Sequence, residues 1–244
     1  MKRRDFLKAF ITIPFIPDLF MLLDYSKFTI AKVKYNGNWN LRDNALRKVM
    51  FEVNRRTSIS CSKEPATISA DDTAIFNYPF LVISGDKALP DFSGLSIARL
   101  KRFINKGGFL FADSSEEKSD EFYLSVVKLM NQIIPNSEFV TLDENNVIYK
   151  TFYMLTKSYG RLNKKDFFEG VIFENRIALL FSHNDLLGAL ERDEFGNYKY
   201  SIPDEQTRRE LCIRTAVNIV MYSLTVDYKD DQVHHPFFKE KIRR

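Results

Sequence analysis

At 244 residues, with 45% apolar and 28% charged side chains, the chain has the make-up of one globular domain of ordinary to large size, which excludes an intrinsically disordered protein. The net charge of +4 is mild and basic residues are interspersed with acids, as in Glu116-Glu117-Lys118, so the basic stripe of a nucleic-acid-binding protein is lacking. Nine glycines against 22 phenylalanines argue against a Gly-rich nucleotide loop, and the two cysteines, Cys61 and Cys212, lack the spacing of a metal site.

The N-terminus reads Met1-Lys2-Arg3-Arg4-Asp5-Phe6-Leu7-Lys8. Arg3, Arg4, Phe6, Leu7 and Lys8 resemble the twin-arginine translocation signal; Lys2 replaces the usual Ser or Thr. Ala9 to Leu23 is then mostly apolar, and a basic start followed by a short apolar run is the anatomy of an export signal. The run is shorter than the roughly 20 residues a spanning helix needs, and Pro14, Pro17 and Asp18 weaken it further. No small-x-small cleavage site follows at Asp24-Tyr25-Ser26-Lys27. The resemblance implies passage through the twin-arginine translocase and residence in the periplasm or on the outer face of the cytoplasmic membrane, with residues 9–23 as a membrane tether if uncut. We therefore divide the chain into a signal or anchor at 1–25, an α/β domain at 26–226 and a tail at 227–244, in which Lys239 to Arg244 is basic.

Beyond the signal, Phe28 to Tyr35 alternates in polarity as a strand does, and Asn36-Gly37-Asn38 is a turn. Leu41 to Thr57 places Leu41, Ala45, Leu46, Val49, Met50 and Val53 on one helical face. A short strand is expected at Ala66–Ser69 and a doubly buried one at Tyr78 to Ser84. Ser93 to Lys106 is a helix with Gly107 as its left-handed cap, followed by a buried strand at Gly108 to Asp113. A helix at Ser119 to Ile134 and a strand at Glu138 to Leu142 come next. Phe168 to Glu174 and Arg176 to Ser182 read as a hairpin, and Glu205 to Leu224 as a long amphipathic helix before a loose tail.

This alternation implies an α/β fold with a mostly parallel sheet, whose ligands bind at the carboxyl ends of strands. The rule singles out Gly85-Asp86-Lys87, Asp113-Ser114-Ser115-Glu116 and Ser182-His183-Asn184-Asp185.

The stretches Val33 to Trp39, Arg55-Arg56-Thr57, Tyr78 to Gly85, Asn105 to Asp113, Tyr149 to Tyr153, Ser182 to Leu186 and Ala216 to Leu224, in this order, resemble the bacterial domain-of-unknown-function family 4159 over residues 28 to 225. The resemblance implies a flavodoxin-like, class I glutamine amidotransferase-like three-layer sandwich, exported or membrane-associated, with no established biochemical role. The chain departs from the family at Asp86, where members often carry His, and at Ser114-Ser115, which replace an acid followed by cysteines.

Of three chemistries weighed at the loops, the first lacks its nucleophile. An amidotransferase needs a cysteine on the turn after a central strand, whereas this turn offers Ser114 and Ser115, with Cys61 and Cys212 elsewhere. A hydrolase would use Ser114, with His183 as base and Asp185 or Asp113 orienting it. A ligand site would use Asp86, Asp113, Ser114, His183, Asn184 and Asp185, with Trp39 as a platform, and the carboxylates with one imidazole suit a divalent ion. Asp113 and Asp185 equally suit capping of helix starts and acceptance of turn amides, and Trp39 suits core packing. No cofactor is indicated. The expectation that follows is a non-catalytic module binding a ligand or an envelope partner, with the Ser114–His183–Asp185 hydrolase as the alternative.

Overall fold

The computed structural model describes residues 27–233, and of 226–233 the backbone alone. Arg3, Arg4, Phe6, Leu7, Lys8, the apolar run 9–23 and the basic stretch Lys239 to Arg244 lie outside the described residues.

Seven strands form one sheet: β1 (Ile30–Lys34), β2 (Ala66–Ser69), β3 (Phe80–Gly85), β4 (Phe109–Ser114), β5 (Phe139–Leu142), β6 (Phe168–Phe173) and β7 (Arg176–Ser182). Their order is β2-β1-β3-β4-β7-β6-β5. The first five in that order run parallel, and β6 and β5 are added antiparallel at one end. Among the described residues, five α-helices accompany them: α1 (Asp43–Arg56), α2 (Gly94–Asn105), α3 (Glu121–Ile133), α4 (Leu186–Leu190) and α5 (Glu205–Val233).

The strand pleat sends successive side chains to opposite faces, so the buried runs of β3 and β4 feed two cores. Phe80, Val82, Phe109 and Phe111 pack with Leu46, Met50, Val217 and Val220 from α1 and α5. Leu81, Ile83, Leu110 and Ala112 pack with Leu100, Ile104, Phe122 and Met130 from α2 and α3. Helices thus cover both faces, as apolar runs without alternation require.

Local chemistry fixes the element ends. Ser93 caps α2 by accepting from the Ser96 amide (3.1 Å). Gly107, at φ +89°, ends it: its amide donates to Ile104 and that of Gly108 to Phe103, closing both orphan carbonyls. Glu174 and Asn175, both at positive φ, make the two-residue turn between β6 and β7.

Two elements differ from the sequence reading. Helix α4 is a single turn in a stretch to which the sequence assigns no element, because five residues cannot display helical periodicity; Asp185 caps it, in line with its capping alternative. Helix α5 continues to Val233 rather than stopping at Leu224, so the presumed tail begins as helix. The polar residues after Leu224 end the apolar stripe without breaking the backbone, and the first proline beyond is Pro236.

The register bears directly on the site. Ser84 pairs with Asp113, and Asp113 pairs with Ser182. The ends of β3, β4 and β7 are therefore neighbours on one rim, as the loop argument requires.

Candidate functional site at the carboxyl edge of the sheet

The pleat that builds two cores also divides this rim. Asp113 and Ser182 follow Phe111 and Leu180 toward the α1/α5 side, whereas Ser114 and His183 follow Ala112 and Phe181 toward the α3 side.

On the α1/α5 side, Asp113 is 1% exposed and its carboxylate accepts the amides of Leu186 (2.9 Å) and Leu187 (2.8 Å). It thereby caps α4 from outside the helix. Burial, followed by the charge of Asp185, pushes its carboxyl up to about 7. Asp185 takes a left-handed backbone (φ +51°), tolerated by Asp better than by most residues, and its side chain accepts from the Gly188 amide (3.0 Å). Arg42 grips the same carboxylate at two points, Nε to Oδ1 (3.0 Å) and Nη2 to Oδ2 (2.8 Å), and Arg161 adds Nε to Oδ2 (2.5 Å). Both guanidinium groups lie over the Tyr200 ring, at 4.7 and 5.0 Å, and Arg42 also donates to the Tyr200 hydroxyl (2.8 Å). Two buried carboxylates are tolerated here because two cations and several amides surround them.

A strap, residues 158–166, crosses this part of the rim and delivers Arg161. Asn184 holds it: the side-chain oxygen accepts the amides of Lys164 (2.8 Å) and Lys165 (3.1 Å), and the side-chain nitrogen donates to Ser158 Oγ (2.8 Å) and the Lys165 carbonyl (2.6 Å). Gly160 passes so close that a Cβ there would meet the Asn184 carbonyl oxygen at 2.1 Å. Arg208 of α5 secures the strap from behind through the carbonyls of Gly160 (3.0 Å) and Leu162 (2.6 Å).

On the α3 side, His183 Nε2 lies 2.5 Å from Glu169 Oε2, and the ring packs against Tyr123 and Phe181. Tyr123 donates to Glu169 Oε1 (3.4 Å); burial, then the Glu169 charge, raises its hydroxyl to about 12. Ser114 donates to Glu116 Oε2 (3.4 Å) and accepts the Glu116 amide, while Glu116 Oε1 accepts from Ser119 and from the Phe122 amide, capping α3. The three residues expected as a triad thus bond to different partners: Ser114 to Glu116, His183 to Glu169, and Asp185 to Arg42 and Arg161.

Asp86 stands apart, after β3, accepting from Asn38 (3.3 Å), and Trp39 carries Lys32 and Lys34 over its ring. Among the described residues, no group of three or more His, Cys, Asp or Glu side chains is placed to hold a metal ion. Cys61 and Cys212 are free, and burial raises their thiols to about 11 and about 12.

Arg42, Arg161, Tyr200, Glu169 and Tyr123 escaped the sequence reading, since nothing in their spacing places them at this rim. Arg42 offered one signal: a cation at a helix start, where the dipole disfavours it and no side-chain cap is supplied. Glu191 makes good that deficit, its Oε2 accepting the Ala45 amide (2.8 Å).

Fold and rim together define an α/β protein with a seven-stranded, mostly parallel sheet and an ion-paired, strapped carboxyl edge. The chain belongs to the family described as Domain of unknown function (DUF4159), whose model matches residues 29–224. Comparison with curated proteins gives no match.

Proposed function

We propose that this chain is an exported or membrane-tethered α/β module that binds a ligand or protein partner at the cell envelope without catalysing a reaction. The observation that carries the reading is that the polar side chains of the rim bond to one another. Asp113, Asn184 and Asp185 cap a helix, pin a strap and neutralise arginines, all at 1% exposure or less. A catalytic base or nucleophile instead needs a free face toward substrate. The strand order β2-β1-β3-β4-β7 supports a flavodoxin-like, amidotransferase-like architecture for residues 26–226. The twin-arginine-like start and the apolar run 9–23 support the address, in the periplasm or on the outer face of the cytoplasmic membrane, with 227–244 as a C-terminal appendage.

Cell fractionation of the wild type and of an Arg3→Lys, Arg4→Lys double variant tests the route. We expect envelope localisation for the first and cytoplasmic retention for the second; equal envelope localisation would remove the translocase from the account. Crosslinking of envelope fractions then identifies the partner.

A hydrolase built on Ser114, His183 and Asp185 is the second reading, favoured by one observation: His183 is already oriented by a carboxylate, that of Glu169. An esterase or amidase activity abolished by Ser114→Ala and by His183→Gln would establish it.

A further inference from the structure

We propose that the amino edge of the sheet faces the lipid surface and that the ion-paired carboxyl edge points away from it, an orientation imposed by the length of the connecting chain. This rests on the membrane-tether reading above.

The chain joins the fold at one defined place. Phe28 is buried in the core, bridges to Cys61 and packs its ring against Phe80 at 6.2 Å, directly before β1. Residues β1, β3, β4 and β7 are parallel, so Phe28 lies on the edge where all four begin. Only Asp24, Tyr25, Ser26 and Lys27 separate it from Leu23, the end of the apolar run. The five links from Leu23 to Phe28 span at most roughly 18 Å when fully extended. The carboxyl edge lies a full strand away, and the six residues of β4 alone cover about 20 Å. The connection is therefore too short to carry a tethered segment around the molecule to the Asp113–Asp185 rim.

Near the point of entry the edge carries exposed cations that an anionic lipid surface would attract, whereas α5 passes the other side of the same edge on its way to Val233 with Asp227, Asp230 and Asp231 in its sequence. Lys27, Lys63 and Lys106 are exposed near that point of entry, at the start of β1, the approach to β2 and the end of α2; Arg55, at the end of α1, is exposed but bonded to Glu52, and Glu64 beside Lys63 is exposed and bonded to Arg47. Cations near such a surface are drawn to it over about a Debye length. At the far end of the same edge, Glu138 and Glu174 are exposed instead. The molecule is thus expected to lean, with its β1–β3 half closer to lipid.

The consequence is functional: a partner reaching the Arg42–Asp185 rim approaches from the aqueous side, not from within the bilayer.

The test uses the full chain in vesicles of phosphatidylethanolamine and phosphatidylglycerol, in a Cys61→Ser background. One dye is placed at Asn105→Cys, at the end of α2, and another, in a separate protein, at Lys87→Cys, after β3. Both sites are exposed and lie on opposite edges. Energy transfer to acceptor lipid is expected to be several-fold stronger from position 105. Equal or reversed transfer with the protein bound to vesicles would overturn the orientation. Protein left in the supernatant would instead overturn the tether reading, and the orientation with it. A flexible insert of about 20 Gly and Ser residues after Ser26 has a reach comparable to the strand length. It is expected to erase the difference between the two sites; a difference that persists would show that connection length is not its cause.

Discussion

Arg42 and Asp185, 143 residues apart, meet through two parallel hydrogen bonds of 3.0 and 2.8 Å with both side chains almost wholly buried. The fork ties the entrance of α1 to the entrance of α4 across the ends of the central strands. Removing Arg42 breaks this buried pair and leaves Asp185 with Arg161 as its remaining cation; breaking a buried pair typically costs about 3–5 kcal/mol. Arg42→Ala is therefore expected to lower the melting temperature by on the order of 10 °C. Arg42→Lys keeps the charge but loses the fork and falls between the two. A melting temperature for Arg42→Ala within a degree or two of wild type would contradict this account.

Asp113 sets a pH dependence of unusual sign. Its carboxyl is raised by burial and by Asp185 from an unfolded value near 4 to about 7 in the folded protein. Between those values the folded state holds a proton that the unfolded state has lost, so stability falls as pH rises from about 4 to about 7. A single group contributes at most about 1.4 kcal/mol per pH unit to that slope. Urea unfolding at intervals across the range should show the decline, and Asp113→Asn should flatten it. The variant is also expected to be less stable at pH 4, because an amide cannot accept all the hydrogen bonds that Asp113 receives.

Acid unfolding has a separate origin. Burial alone would raise Glu52, but hydrogen bonds from Lys48, Arg56 and Arg55 outweigh it and hold the group at about 2. Glu210 is brought to about 2, chiefly by Arg56. Carboxylates depressed in this way contribute stability above their unfolded values, lost as pH falls from about 4 toward 2. Glu52→Gln is expected to move the acid midpoint upward, followed by circular dichroism.

The strap depends on Asn184 and on the absence of a side chain at position 160. Gly160→Ala would drive a methyl group into the Asn184 carbonyl, and Asn184→Ala would remove the contacts that hold residues 158–165. Both should accelerate amide exchange across this strap while leaving α2 and β3 protected. Unchanged exchange in both variants would mean that Arg161 and Arg208 suffice to hold it.

Helix α1 is capped from a distance. Glu191→Ala removes the acceptor for the Ala45 amide and should cost about 1 kcal/mol, the usual value of a lost cap. Equilibrium urea denaturation resolves that difference.

Elements whose signal is local and periodic are legible in the amino-acid order. The apolar runs of β3 and β4, the 3.6-residue face of α1, the Gly107 stop and the hairpin between β6 and β7 all rest on side chains close together in the chain. From these follow the α/β class and the prominence of the loops after Ser84, Asp113 and Ser182, since parallel strands finish at one edge. The roles of the rim residues emerge from the folded arrangement. The strand pleat sends Asp113 to one side and His183 to the other, and the partners that fix their roles, Arg42, Arg161 and Glu169, come from distant segments that no spacing rule connects. A buried charge is defined by whichever counter-charge the fold delivers to it, and that delivery is a property of three-dimensional packing rather than of neighbouring residues.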